Sequence, residues 1–304
     1  MAISAIVTVP PYATFIKEVP AHPIVSGLRL NTVMPTREPL EELLKRLDKE
    51  ADGKQLWIDL KGRQLRTVTY AVPPFTEIKV SHKIKVNTPV TAYFGNGDEA
   101  ATLVAADGNR LIFQEGPRRV VGPGESINII DKSLEIDGYF TETDLKYIEA
   151  AKKAGLHNYM LSFVESSDDI ESLMRLDADA VLVAKIESQN GLGFVNKKYD
   201  GRARLMAACG DLYVEVERPH RIIGAVEDIL AKDKQAIMAS RIFPSLVDSP
   251  VPAFQDILAV SYAINAGYET FMFGDEICMR RESIIAGLNL LQHIVMSYEK
   301  RRGT

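Results

Sequence analysis

The chain has 304 residues, 46% of them hydrophobic and 25% charged, with a formal net charge of -5. That balance suits a compact globular chain and excludes a polybasic binder of nucleic acid or anionic membrane. The two cysteines, Cys209 and Cys278, make neither a metal-ligand spacing nor a disulfide framework. Without a signal-peptide pattern or a membrane-length apolar run, a cytoplasmic setting away from membranes is expected.

In chain order, the apolar runs AIVTV at 5–9 and LRLNTV at 28–33 read as strands, followed by a helical stripe of Leu40, Leu43, Leu44 and Leu47, and LWIDL at 56–60 as a third strand. Between that strand and NYMLSFV at 158–164 the chain is roughly three times longer than one crossover needs. Ile78 and Val80, then Ile84 and Val86, alternate with polar neighbours, while GNGD at 95–98 and DGN at 107–109 are hairpin signals. Thr141 with Asp144 reads as a capping box for a helix that Gly155 closes. After it come AVLVAKI at 180–186, LMAACGD at 205–211, AIMAS at 236–240 and TFMFG at 270–274. Helical stripes at Ile222, Ile223, Val226, Ile229 and Leu230, and at Ile284, Leu288, Leu291 and Val295, flank the last of these strands.

Near-continuous hydrophobicity marks strands covered on both faces, and eight of them alternating with helices predict an α/β fold, a (β/α)8 TIM barrel. The expected division is 1–68 and 136–304 for the barrel and 69–135 for a small β domain inserted after strand three as a lid.

Active sites of such barrels form at the C-terminal strand ends. Polar residues interrupt the apolar runs there: Arg29 and Asn31 on strand two, Asp59 and Lys61 on three, Lys185 and Glu187 on five. Gly210 and Asp211 end strand six, Ser240 and Arg241 strand seven, and strand eight runs into Asp275 and Glu276. Residues two apart on a strand share a face, so Lys185 and Glu187 point the same way. Alone, such a pair is most simply an ion pair; a polar rim spread over six strands favours a site. Neighbouring strands lie about 4.8 Å apart, which lets Glu187 and Asp211 share one hard divalent cation, with Lys185 over an anionic substrate. The five histidines lie away from these ends, against a histidine-based metal site or triad, and Cys209 reads as a small buried residue rather than a nucleophile.

The motifs along the chain resemble those of the pyruvate kinase family. LRLNT at 28–32 is similar to that family's ARLNFSHG, IDLKGRQLRT at 58–67 to DTKGPEIRT, and SFVESSDDI at 162–170 to its SFVR with a following Asp. AKIES at 184–188 resembles AKIEN, AACGDLYVE at 207–215 resembles VARGDLGVE, and IMASRIFPSL at 237–246 resembles ICATQMLESM. The resemblance spans almost the whole chain and implies the family's barrel and lid without its C-terminal domain, so sugar-phosphate activation is not expected.

Carried over by position, the resemblance implies that Glu187 and Asp211 hold Mg²⁺ or Mn²⁺ and that Lys185 offsets charge on the phosphoryl group. It implies that Ser240 stands near the proton delivered to the enolate, and that Gly210 offers its N–H to the substrate carboxylate. Arg29 and Arg66 match arginines at the transferred and nucleotide phosphates, and Asn31 and Asp59 match two monovalent-cation ligands. Departures weigh against K⁺ dependence: Val33, Met34 and Pro35 replace SHG, and Gln64 replaces a glutamate. Cys209, Arg241 and the segment PVPAFQD at 250–256 also depart from the family pattern, around the substrate and at a segment of subunit contact.

The leading expectation is therefore Mg²⁺-dependent phosphoryl transfer between phosphoenolpyruvate and a nucleoside diphosphate, giving pyruvate, by a homo-oligomer associating through the barrel. The lid would close over ADP or ATP. The alternatives are a metal-dependent lyase or aldolase acting on a 2-oxo acid, and a non-catalytic paralogue, since one barrel hosts many chemistries.

Overall fold

The computed structural model describes residues 3–74 and 76–302. The chain opens with β1 (Ser4–Thr8) and β2 (Val25–Asn31), then α1 (Leu40–Glu50) and β3 (Gln55–Leu60). The inserted part carries β4 (Glu77–Lys79), β5 (Ile84–Lys85), β6 (Val90–Phe94), β7 (Glu99–Asp107), β8 (Arg110–Phe113), β9 (Ile127–Ile129) and β10 (Glu135–Ile136). The barrel resumes with α2 (Glu142–Ala154), β11 (Asn158–Leu161), α3 (Ser167–Leu176), β12 (Val181–Ile186), α4 (Gln189–Lys198) and β13 (Arg204–Ala208). It continues through α5 (Cys209–Glu215), α6 (Ile222–Lys232), β14 (Ile237–Ala239), α7 (Phe254–Ala266), β15 (Thr270–Phe273), α8 (Asp275–Cys278) and α9 (Arg281–Arg302).

Eight strands close in parallel in the order β1, β15, β14, β13, β12, β11, β3, β2. Their alternation divides the core in two. Ile6, Trp57, Met160, Val183, Met206, Ile237 and Met272 fill the lumen, while their neighbours, such as Tyr159, Leu161, Leu182 and Ala184, face the helices. The leucine stripe predicted at 40–47 is realised in α1, where Leu43, Leu44 and Leu47 are all buried.

The inserted domain is a five-stranded antiparallel sheet, β4-β8-β7-β6-β9, beside the two-stranded β10-β5. It has its own core, including Leu65, Ile78, Leu103, Leu111, Ile127 and Ile129, with the Phe94 and Phe113 rings 5.6 Å apart. The DGN signal becomes the tight β7–β8 turn, in which Asp107 pairs with Arg110. The GNGD signal becomes a 3-10 turn at Gly95–Gly97 between β6 and β7.

Asp144 ties both ends of the insertion together. It completes the predicted capping box with Thr141, and its two oxygens also accept the backbone N–H groups of Lys61 (2.8 Å) and Gly62 (3.2 Å), just beyond β3. Gly62 has φ +51, and a Cβ there would stand 2.7 Å from the Ser162 carbonyl oxygen, so this neck demands glycine. Arg66 and Thr67 already bridge to Ser126 and Val80, and Ile136 pairs with Ile84. The expected boundaries at 68/69 and 135/136 thus fall within lid pairing, and we propose the neck at Lys61–Gly62 and Thr141 instead.

Candidate active site

Arg29 and Asn31, two residues apart near the end of β2, stand beside Asp59 of β3 through the register Asn31–Asp59. Arg29 is 5% exposed and four of its five guanidinium hydrogens are engaged: Nε donates to Asp59 Oδ2 (2.7 Å), Nη2 to the same oxygen, and Nη1 to Thr8 Oγ1 (2.9 Å) and Asp275 Oδ1 (2.6 Å). Asn31 Nδ2 donates to the other Asp275 oxygen at 2.7 Å. Asp59 is wholly buried, and Lys61 Nζ and Lys185 Nζ also approach it, each to 3.3 Å. Burial would raise the Asp59 carboxyl's pKa, but Arg29, Lys185 and Lys61 outweigh it and hold the group far below the usual carboxylate range.

Lys185 leaves β12 with its Nζ 2.8 Å from Ser162 Oγ and 3.1 Å from Glu187 Oε1. Burial opposes its charge, yet Asp59 and Glu187 raise its pKa above the ordinary lysine value. Rather than standing free over a substrate, Lys185 is paired with two carboxylates, because Asp59 reaches it from β3, across the intervening β11. Glu187 Oε2 accepts the Phe163 N–H at 2.9 Å. Its carboxyl is pushed upward by burial and by the Asp211 and Asp59 charges, against the pull of Lys185.

Gly210 and Asp211 were expected at the end of a strand; β13 stops at Ala208 and both lie in the first turn of α5. An acidic side chain is favourable there, at the positive end of the helix. Asp211 is 8% exposed, and each oxygen accepts one amide hydrogen: Oδ2 from Gln64 Nε2 (2.9 Å), Oδ1 from Asn128 Nδ2 (3.2 Å). Gln64 is oriented in turn by Arg66, whose Nε (2.9 Å) and Nη2 (2.6 Å) donate to its Oε1, while Arg66 Nη1 donates to the Gly124 carbonyl.

Ser240 follows β14 with φ +64, and Arg241 and Phe243 also hold positive φ. Three such non-glycine residues in four positions mark a strained turn, of the kind concentrated at functional sites. Gly210 lies against Ser240: a Cβ on the glycine would stand 3.5 Å from the serine Oγ. Arg241 donates to the Cys209 carbonyl (3.2 Å) and stacks 4.7 Å over Tyr213. Cys209 is buried with its thiol pushed up to about 12 by burial, the opposite of an activated nucleophile.

A cavity of about 540 Å³ is lined by Arg29, Arg66, Lys185, Glu187, Gly210, Asp211 and Ser240, all predicted from sequence. Asn31 and Asp59 do not line it; they lie beneath it and hold Arg29, Lys61, Lys185 and Asp275. The donor set suits a hard cation, because two buried carboxylates, Glu187 and Asp211, face one cavity, where burial first and then the Asp211 charge raise the Glu187 pKa. Asp59 does not suit a monovalent cation, being surrounded by three cationic side chains.

Four participants were not assigned a part from sequence. Lys61 lines the cavity with its amino group buried and, apart from the ion pair with Asp59, without a hydrogen-bond partner among the described residues, and burial depresses its pKa to about 7. Ser162 bridges Lys185 and Asp59. Asn128 comes from the inserted β domain and donates to Asp211 and, at 3.0 Å, to Glu215. Burial pushes the Glu215 carboxyl up to about 8. Position supplied a signal for Lys61, on the same strand face as Asp59; none existed for Asn128, which is far away in sequence. At the opposite end of the barrel, His157 Nδ1 lies 2.8 Å from Asp177 Oδ2, a hydrogen bond remote from this rim.

An eight-stranded barrel with an inserted antiparallel β domain and a rim of buried carboxylates and cations defines a TIM-barrel protein with a polar site at that rim. The family model for the pyruvate kinase barrel domain matches residues 114–280, more than half of the chain, and the chain is a divergent member of the pyruvate kinase family. It is 24% identical to a pyruvate kinase of Borreliella burgdorferi over 308 aligned positions, covering 91% of this chain and 64% of the relative. With a pyruvate kinase of Methanocaldococcus jannaschii the identity is 23%, covering 83% of this chain and 60% of that one. It therefore spans about three fifths of the length of these relatives. The crystal structure of Cryptosporidium parvum pyruvate kinase superposes on 96% of the chain, and on 69% of its own, with TM-score 0.78 at 16% identity, a likeness of fold. Among the described residues no helix is long and apolar enough to cross a membrane.

Proposed function

We propose that the chain catalyses phosphoryl transfer between phosphoenolpyruvate and a nucleoside diphosphate, giving pyruvate and the triphosphate. The observation that carries this reading is the single cavity in which Lys185 and Arg29 stand beside the carboxylates Glu187 and Asp211. Phosphoryl transfer needs chiefly positioning and stabilisation of charge on the group in flight. Glu187 and Asp211 are assigned to hold Mg²⁺ or Mn²⁺, which when bound supplies Lewis-acid neutralisation of phosphoryl and enolate oxygens. Lys185, held from below by Asp59 and Ser162, presents its ammonium to the transferring phosphoryl group, and Arg29 adds a second cation.

As the bond from phosphorus to the enol oxygen breaks and that to the diphosphate oxygen forms, the substrate becomes enolpyruvate. The Gly210 N–H is assigned to its carboxylate, and the Ser240 hydroxyl, beside Gly210, to the path by which a proton reaches C3. Arg66 is assigned to the nucleotide phosphates and the lid to closure over them. We place the reaction in the cytoplasm.

A second reading, enolate chemistry on a 2-oxo acid without a nucleotide, is favoured by one observation: the Arg66 guanidinium is already bound to Gln64 and Gly124. Incubation with phosphoenolpyruvate, ADP and Mg²⁺ separates the two. ATP formation supports transfer. Exchange of pyruvate methyl protons with deuterium while no ATP forms supports the second reading and overturns the first.

For association through the barrel, we place the contact on α7. There Phe254, Leu258 and Tyr262 form an exposed stripe at four-residue spacing, extended by Val251.

A further inference from the structure

We propose that Asn128, carried by the lid, is a positioning residue for Asp211, so that lid closure aligns a carboxylate of the candidate cation site and strengthens cation binding there. The inference rests on the assignment of Glu187 and Asp211 as cation ligands.

Asn128 lies on β9, paired with Tyr93 of β6, and is 2% exposed. Its Nδ2 sends one hydrogen to Asp211 Oδ1 (3.2 Å) and the other to Glu215 Oε1 (3.0 Å), residues one helical turn apart on α5. A single amide therefore grips two carboxyl groups of the barrel from across the domain junction. Its orientation is set by Asp211: turning the amide over would aim Oδ1 at that carboxylate, which can only accept. Oδ1 is buried and has no partner, so among the described residues nothing else on the side chain competes with this contact.

The second Asp211 oxygen is fixed from Gln64. Arg66 carries only donors, so it must meet Gln64 Oε1, which leaves Nε2 facing Asp211. Both carboxylate oxygens are thus oriented by neutral donors, and each keeps a lone pair for a cation. Hydrogen bonds of this kind to a ligating carboxylate typically change metal affinity by about 10- to 100-fold.

Gln64 lies just past the neck, whereas Asn128 arrives only when the lid sits on α5. The fit there is close, since a Cβ on Gly97 of the lid would stand 3.2 Å from Val214 Cγ2. Lid closure and cation affinity are then two sides of one coupling, and the bound cation must in turn favour the closed lid.

Mn²⁺ binding followed by electron paramagnetic resonance, with hydrogen exchange of the amides at Ile127–Ile129, tests this. Glu187→Ala and Asp211→Ala should abolish binding, which checks the underlying assignment separately. Asn128→Ala should weaken Mn²⁺ about 10-fold, and Mn²⁺ should slow exchange of the β9 amides in the unaltered protein but not in the variant. Asn128→Leu keeps the volume without the donor and should behave alike, which separates lost packing from lost alignment. Mn²⁺ affinity within twofold of the parent in both Asn128 variants, with the Glu187 and Asp211 variants inactive in binding, overturns the inference alone. Unchanged binding in all four overturns the cation assignment with it.

Discussion

Lys185 and Glu187, two residues apart at the end of β12, bring their charged ends to 3.1 Å, with Lys185 also 3.3 Å from Asp59 on β3, one strand beyond the neighbouring β11. The lysine is thus held between two carboxylates. That arrangement keeps it protonated in a buried place and aims it at the cavity. Lys185→Met should lower phosphoenolpyruvate turnover by about 100-fold or more, the scale of losing one preorganised charge-stabilising group. It should also destabilise the fold by several kcal/mol, because Asp59 and Glu187 lose a buried partner. Turnover measured well below the melting transition separates the two effects, and unchanged turnover would remove Lys185 from the mechanism.

Potassium should not stimulate the reaction. Asp59, which matches a monovalent-cation ligand by position, already faces Arg29, Lys61 and Lys185. Rates in K⁺ and in tetramethylammonium at equal ionic strength should agree within twofold. Strong K⁺ activation would show that these three side chains rearrange around the ion.

Glu215 predicts a pH dependence of stability. Its carboxyl rises from an ordinary value of 4.5 to about 8 on folding, chiefly through burial. The folded state therefore holds a proton that the unfolded chain has lost between these values. The stabilisation is complete below 4.5 and disappears as pH rises through about 8. Compared with the parent, Glu215→Gln should flatten the fall in unfolding free energy between pH 5 and 7 by up to about 1.4 kcal/mol per pH unit. Parallel urea-denaturation curves for the two proteins across that range would contradict a buried, protonated Glu215.

The α7 stripe predicts an oligomer that surface charge can dissociate. Leu258→Glu with Phe254→Ser should reduce the sedimentation coefficient to that of a single chain and leave the far-ultraviolet circular dichroism unchanged. An unaltered sedimentation profile would place the contact elsewhere.

The barrel was legible because each strand is covered on both faces and writes a dense apolar run, and because the polar interruptions fall at one end of those runs. Lys185 with Glu187, and Arg29 with Asn31, could be paired by counting two residues along a strand. Asp211 was located but given the wrong local structure, since the apolar run into AACGD hides the point where strand becomes helix. Asn128 and Ser162 escaped notice because each acts through contacts set by the fold: one crosses from the lid, the other sits between strands. The pairing of Lys185 with Asp59 joins residues 126 positions apart, a separation that no local pattern encodes.

Asp144 receives hydrogen bonds from Lys61 and Gly62, the former 83 positions earlier, while capping α2. The two ends of the insertion are thereby joined at a neck made by Lys61, Gly62, Thr141 and Asp144. Loop-closure entropy changes by only about 0.6 kcal/mol for each doubling of length, so ring closure of the barrel is nearly indifferent to the size of what hangs from this neck. The insertion is in this sense a replaceable module: lids of other lengths could be grafted at Gly62 and Thr141 with the eight strands kept in register, provided that Asp144 keeps its grip on both.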